Sequence, residues 1–233
     1  MPEVSTAPIA INLALWINAA RRGAVTQTDA INACETLTAE TSAGARDEQL
    51  GESSLDCKAV LSLGLSADMP VAVGLPIAGD PSGVPISATP KFEMKTGVVA
   101  LNQTSLLVNS FEFGWTVVSC QHTVTHQDFN FAKKEFTKSL ASATEYLASA
   151  DLVADDEATV RALNEFKLTH LPPSISKKHL DAMDLAAKVN IVAQQAITDS
   201  IVFASPSKDA MRIQVLQQLH RSCQRLLQAS AIC

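Results

Sequence analysis

The chain has 233 residues, of which 47% are hydrophobic and 18% charged, with a formal net charge of −6 at neutral pH. That composition excludes a disordered chain, and the absence of a basic excess argues against a nucleic-acid partner. The length admits one large domain or two small ones with a sizeable core. Residues 1–57 hold eight acids against three bases, so the acidic balance is concentrated there. Aromatic residues are only 5% of the chain, which leaves Ala, Leu, Val and Ile to fill the interior and favours closely packed helices.

Along the chain, the first element is a helix from about Ile9 to Arg22. Ile9, Leu13, Trp16, Ile17 and Ala20 repeat at helical spacing, and Gly23 is placed to stop it. Arg21 and Arg22 complement the dipole at its C-terminus. Thr26 and Asp29 then form a capping box for a second helix to about Thr38, which buries Ala30, Cys34 and Leu37. The short turn between the two predicts a helical hairpin. Residues 39–54 read as an acidic loop, and Cys57 to Leu65 as a short helix. Pro70 to Pro90 carries five prolines and three glycines, a punctuation that makes turns and short extended pieces.

From Thr96 to Gln127 the only charged residue is Glu112, but Asn102, Gln103, Asn109, Ser110, Gln121 and His122 interrupt the run too often for a membrane span. Phe111, Phe113, Trp115 and Val117 alternate with smaller or polar neighbours, and Thr116 to Thr125 is rich in Val and Thr. This pattern predicts short antiparallel strands. A helix stacking Leu107, Phe111, Trp115, Val118 and His122 is the competing reading.

The last hundred residues are amphipathic helices. Phe129, Ala132, Phe136, Leu140, Ala143 and Leu147 share one face, with Asp128 as N-cap. A shorter helix opens at Asp155 or Asp156 and ends before Pro172-Pro173. A long helix follows from Ser174 or Ser176 to about Phe203. Its polar residues form one thin stripe (Asp181, Asp184, Lys188, Gln195, Asp199), which predicts a place at the centre of a bundle. In the last helix, about Asp209 to Ala229, Val215, Leu216, Leu219, Cys223, Leu226 and Leu227 oppose Gln214, Gln217, Arg221, Gln224, Arg225 and Gln228. Asn190 and Gln194 intrude on the apolar side of the long helix, where they are expected to fix register through hydrogen bonds.

The expected fold is therefore mainly α within an α+β class. It comprises an N-terminal helical hairpin, a charge-poor middle with short antiparallel strands, and a C-terminal amphipathic helical bundle. Residues 1–233 read as a single globular domain, with a division into 1–127 and 128–233 as the alternative.

No recognisable catalytic or cofactor motif stands out: there is no Gly-x-Ser-x-Gly elbow and no phosphate cradle. The candidate metal ligands are Cys120, His122, His126 and Asp128. On one strand, His122 and His126 would stand about 13 Å apart, too far to share a zinc ion. On a helix they would be neighbours, but the Glu of a His-Glu-x-x-His motif is missing. The expectation is therefore no metal and no cofactor.

The five cysteines (Cys34, Cys57, Cys120, Cys223 and Cys233) are an odd set without Cys-x-x-Cys spacing. They point to a reducing compartment, cytoplasmic or nuclear. The apolar run Ile9–Ile17 has Glu3 before it and Arg21–Arg22 after it, the reverse of a secretory signal. The function expected is a soluble, non-catalytic interaction protein, a subunit or adaptor that meets a protein partner through a helical surface without membrane insertion. The alternative is a small-molecule or metal-dependent enzyme with its site near Cys120–Asp128.

Overall fold

The computed structural model describes residues 8–42, 55–77, 80–85, 97–110, 114–149, 157–202 and 208–232. Its contacts divide these residues into two compact units. The mixed unit draws on 8–126, 169–176 and 231–232, and the helical unit on 127–168 and 177–230. Among the described residues there are seven helices and a four-stranded antiparallel sheet, a mainly α architecture of α+β type.

In the mixed unit the chain makes α1 (Ile9–Arg21), α2 (Gln27–Ser42), α3 (Cys57–Ser66), β1 (Ala72–Gly74), β2 (Val98–Asn102), β3 (Ser105–Ser110) and β4 (Gly114–Ser119). Helix α1 was expected to bury one face. It is instead buried almost all round and packs against α2, α3, β1 and β2. Its approach to α3 is so close that a Cβ on Gly64 would lie 2.7 Å from Ile17. Gly23, at φ +67°, ends the first helix as its position predicts.

The Thr26/Asp29 capping box is present. Asp29 N–H donates to Thr26 Oγ1 at 3.1 Å, and the Asp29 carboxylate accepts from Thr26 N–H at 3.2 Å. Arg21 does more than complement its own helix. Its Nη1 donates to the carbonyls of Gly64, Leu65 and Ala67 (3.0, 3.1 and 2.6 Å), the acceptors left over at the C-terminus of α3.

Asn18 is buried on α1 and reads the main chain at the start of the sheet. Its Nδ2 donates to Val71 O (3.0 Å) and to Ala231 O (2.9 Å), while its Oδ1 accepts from Val71 N–H (2.9 Å).

The sheet is a meander in the order β1-β2-β3-β4. Ala72, Val98, Ala100, Leu106, Val108 and Val118 line one face, closed by Val84 and Val124 from the loops. Trp115, an odd number of residues from Val118, stands on the opposite face, and its Nε1 donates to Thr38 Oγ1 of α2 at 3.0 Å. The Asp80–Gly83 turn holds Gly83 at φ +80°, where a Cβ would meet the Thr123 backbone at 2.5 Å.

The strand reading of the middle is therefore correct, and the helical alternative is not. Strand β4 nevertheless stops at Ser119, so the expected extension through Thr125 is irregular backbone. Phe111 and Phe113, which carried part of that reading, lie outside the described residues.

The helical unit contains α4 (Phe129–Ser149), α5 (Glu157–Glu165), α6 (Lys177–Val202) and α7 (Lys208–Ser230). Asp128 caps α4, accepting from Phe131 N–H at 2.7 Å, and Ala132, Phe136 and Ala143 are buried along the face assigned from sequence. Asp155 and Asp156 fall outside the described residues.

The centre of the bundle is not α6. Helix α7 packs against both α4 and α6, while α6 packs against α7 and α5. The reason lies in the side chains beside the polar stripe of α6. Leu185 and Val192 sit next to it on the helix and remain in solvent, so α6 is exposed over a wider arc than its thin stripe suggested. Conversely, Gln224 and Gln228 of α7, assigned to the solvent side, are buried. Gln228 Oε1 accepts from Gln127 Nε2 at 3.1 Å.

Candidate functional site

The four candidate metal ligands follow β4 on the irregular segment, where each has local work. Asp128 caps α4. His126 Nε2 hydrogen-bonds to Pro70 O at 2.6 Å, so that nitrogen carries the proton. His122 Nδ1 accepts from Val124 N–H at 3.3 Å, two residues away. Cys120 is half-buried against the face of the sheet lined by Val118. Among the described residues no three His, Cys, Asp or Glu side chains gather in a way that would hold a metal ion.

An open cleft of about 470 Å³ lies in the mixed unit among Trp16, Val25, Asp29, Asn32 and His170. Two of its polar side chains are already committed to the fold. Trp16 Nε1 donates to His170 O at 2.7 Å, and the Asp29 carboxylate closes the capping box and accepts from Thr26 Oγ1 at 2.7 Å. His170 sits at φ +56°, an uncommon conformation for a non-glycine residue. The cleft has no converging set of acids, bases or nucleophiles.

The helical unit has a small polar cluster within its apolar interior and exposed apolar side chains outside. Inside, Asn190 of α6 meets His220 and Gln224 of α7. Its Oδ1 accepts from His220 Nδ1–H at 2.6 Å and makes a long contact with Gln224 Nε2 at 3.5 Å. Burial, then the Arg221 guanidinium, holds the His220 imidazole below its ordinary pKa of 6.5, so the ring is neutral. This is the register-fixing role expected of Asn190. Gln194 does not share it, because the turn of α6 on which it lies leaves it exposed.

Outside, Leu185 and Val192 are seven residues apart and therefore on one line along α6. They are 48% and 41% exposed, and Met211 of α7 and Phe131 of α4 are more exposed still. His179 packs on the Phe129 ring with centroids 4.0 Å apart.

Residues 10–128 match the family described as Rv1486c-like protein, N-terminal domain, and residues 131–227 match Rv1486c-like protein, C-terminal domain. The chain belongs to the Rv1486c-like family. No curated protein and no solved structure matches it.

Two groups in this Rv1486c-like chain escaped the sequence reading. Asn18 was hidden within an apolar helix, and a polar residue flanked by Ile17 and Ala19 was the available signal. Thr38 was taken only as a helix end. Its hydroxyl instead joins α2 to Trp115 and approaches Cys57 Sγ at 3.6 Å, a junction that no spacing in the sequence announces.

Among the described residues no helix is long and apolar enough to cross a membrane.

Proposed function

We propose that the chain is a non-catalytic interaction protein, a subunit or adaptor that binds a protein partner through the exposed face of α6. The observation that supports this reading is the Leu185/Val192 line. Two branched aliphatic side chains are left in water on a helix that buries Met183, Ala186 and Ile191, and Leu180 in its first turn is exposed as well. Covering such a side chain recovers about 1 kcal/mol or more at roughly 25 cal/mol per Å². Apolar side chains seven residues apart on one helix face belong to the anchor pattern of helical recognition. The polar stripe beside it (Asp181, Asp184, Lys188) carries both signs, with Lys188 Nζ 2.7 Å from Asp184 Oδ2. The partner surface is accordingly apolar at its centre with a mixed polar rim. A reducing compartment, cytoplasmic or nuclear, is the setting that the odd, unpaired cysteine set favours.

The test is affinity capture from a native lysate with the wild-type chain and with the Leu185→Asp/Val192→Asp double variant, both at 50 and 300 mM salt. The expected result is a stoichiometric protein partner that the double variant loses. Its affinity for the wild type should fall at most about tenfold across the salt range, since no basic field contributes. Equal capture by the double variant, or retention of DNA or RNA at the higher salt, overturns the reading.

A further inference from the structure

Helices α2 and α3 of the mixed unit bring together two cysteines that lie far apart in the sequence. Cys34 is in the middle of α2 and Cys57 is the first residue of α3, and the two helices pack side by side. Thr38, one turn beyond Cys34 on the same face, marks the junction. Its hydroxyl donates to Cys34 O at 2.8 Å and lies 3.6 Å from Cys57 Sγ. The two thiols are close enough that each perturbs the ionisation of the other. Both are buried, Cys34 at 1% exposure and Cys57 at 8%.

We propose that Cys34 and Cys57 form a redox-active dithiol, which a hydroperoxide converts reversibly into a disulfide joining α2 to α3, with Cys57 as the attacking thiol and Cys34 as the resolving one.

The two sulfurs are chemically unequal, which is what such a pair requires. Cys57 occupies the first turn of a ten-residue helix, where the dipole and unpaired N–H groups favour a thiolate. Asp56 caps that turn through Ala59 N–H at 2.7 Å, which fixes the orientation of the helix start. The Thr38 hydroxyl can turn from the Cys34 carbonyl to donate to an anionic Cys57 sulfur, and Trp115 Nε1 feeds the same oxygen. The hydrogen bond from Cys34, together with that from Thr38, outweighs burial and the nearby Glu35 and Asp56 carboxylates and pulls the Cys57 thiol downward. Cys34 is pushed upward by its hydrogen bond to Cys57 and by burial. It therefore stays protonated until its partner has reacted.

The chemistry balances. The Cys57 thiolate attacks one oxygen of the hydroperoxide, and the O–O bond breaks. The proton Cys57 gave up goes to the leaving alkoxide or hydroxide, which departs as an alcohol or water. Cys57 is now a sulfenic acid. Cys34 then attacks the Cys57 sulfur, an S–S bond forms and a second water leaves. Two thiols are oxidised by one hydroperoxide, and a dithiol reductant restores them by exchange. Burial restricts the oxidant to small peroxides.

The experiment uses the full reduced chain, treated with one equivalent of hydrogen peroxide, alkylated and digested with trypsin without reduction. Arg46 lies between the two cysteines, so trypsin places them on different peptides unless a disulfide holds them together. The expected result is loss of two of the five thiols, a Cys34–Cys57 linked peptide pair, and its release by dithiothreitol. In the Cys34→Ser variant Cys57 should stop at the sulfenic acid, which dimedone traps, and Thr38→Val should slow alkylation of Cys57 several-fold. Peptide mapping of the wild type decides alone if a variant does not fold. Survival of both thiols, or oxidation at Cys120 or Cys223 in their place, overturns the proposal.

Discussion

Replacing Asn18 with leucine isolates a fully buried polar contact inside the mixed unit. The two side chains branch alike and leucine is the larger, so the substitution leaves no cavity and acts through lost hydrogen bonds, with some overpacking added. It strands the N–H and the carbonyl of Val71 and the carbonyl of Ala231, all now paired within 3.0 Å of the Asn18 amide. Each buried group left unpaired costs about 1–3 kcal/mol, and carbonyls with a second lone pair fall at the low end. The total is about 3–6 kcal/mol, a large share of the roughly 5–15 kcal/mol that holds an ordinary domain together.

Asn12, on the same helix, provides the contrast. Its Oδ1 is buried with no partner among the described residues. Asn12→Leu should therefore cost less than about 1 kcal/mol, or stabilise. Urea unfolding followed by tryptophan fluorescence is the assay, because both tryptophans of the chain, Trp16 and Trp115, report on this unit. A loss below about 1 kcal/mol for Asn18→Leu, or equal losses for the two variants, would refute the account of Asn18 as a main-chain clamp.

Two further outcomes concern the helical unit. Leu219→Asp buries an unpaired carboxylate on α7, where Leu219 is 5% exposed, and should cost about 3–5 kcal/mol. A helical circular-dichroism melt within a degree or two of wild type would contradict that assignment. His220 makes the unit acid-sensitive. With its native pKa depressed below 6.5, the unfolded state binds the proton first, so stability is intact above pH 6.5 and falls as pH drops from there to the native pKa. His179, depressed by burial and by Lys178 and Lys133, contributes in the same direction. Melts from pH 8 to pH 5.5 should therefore show a decline that His220→Gln reduces, and an identical decline in the variant would remove His220 from the explanation.

Several features were legible before any coordinates because they are local. The Thr26/Asp29 box, the Gly23 stop and the Asp128 cap each depend on residues within one helical turn, and so does the amphipathic face of α4. The alternation around Trp115 marked strands for the same reason, since period two is a property of neighbouring residues. The candidate site was less legible. The segment Cys120–Asp128 drew attention by residue type alone, and residue type does not determine where a chain leaves a sheet.

The amino-acid sequence by itself determined the type of element at most positions and the mainly helical class, because short-range sterics, capping and apolar periodicity act within a few residues. Tertiary structure decided which helix is central, since the burial of α7 and the exposure of Leu185 and Val192 depend on which neighbours arrive. It also decided that Asn18 clamps Val71, fifty-three residues away, and that Cys34 meets Cys57 across Thr38. Those contacts join residues whose separation along the chain carries no periodic signal. They form only when apolar burial has packed the helices and strands against one another, and hydrogen bonds then select which polar groups meet.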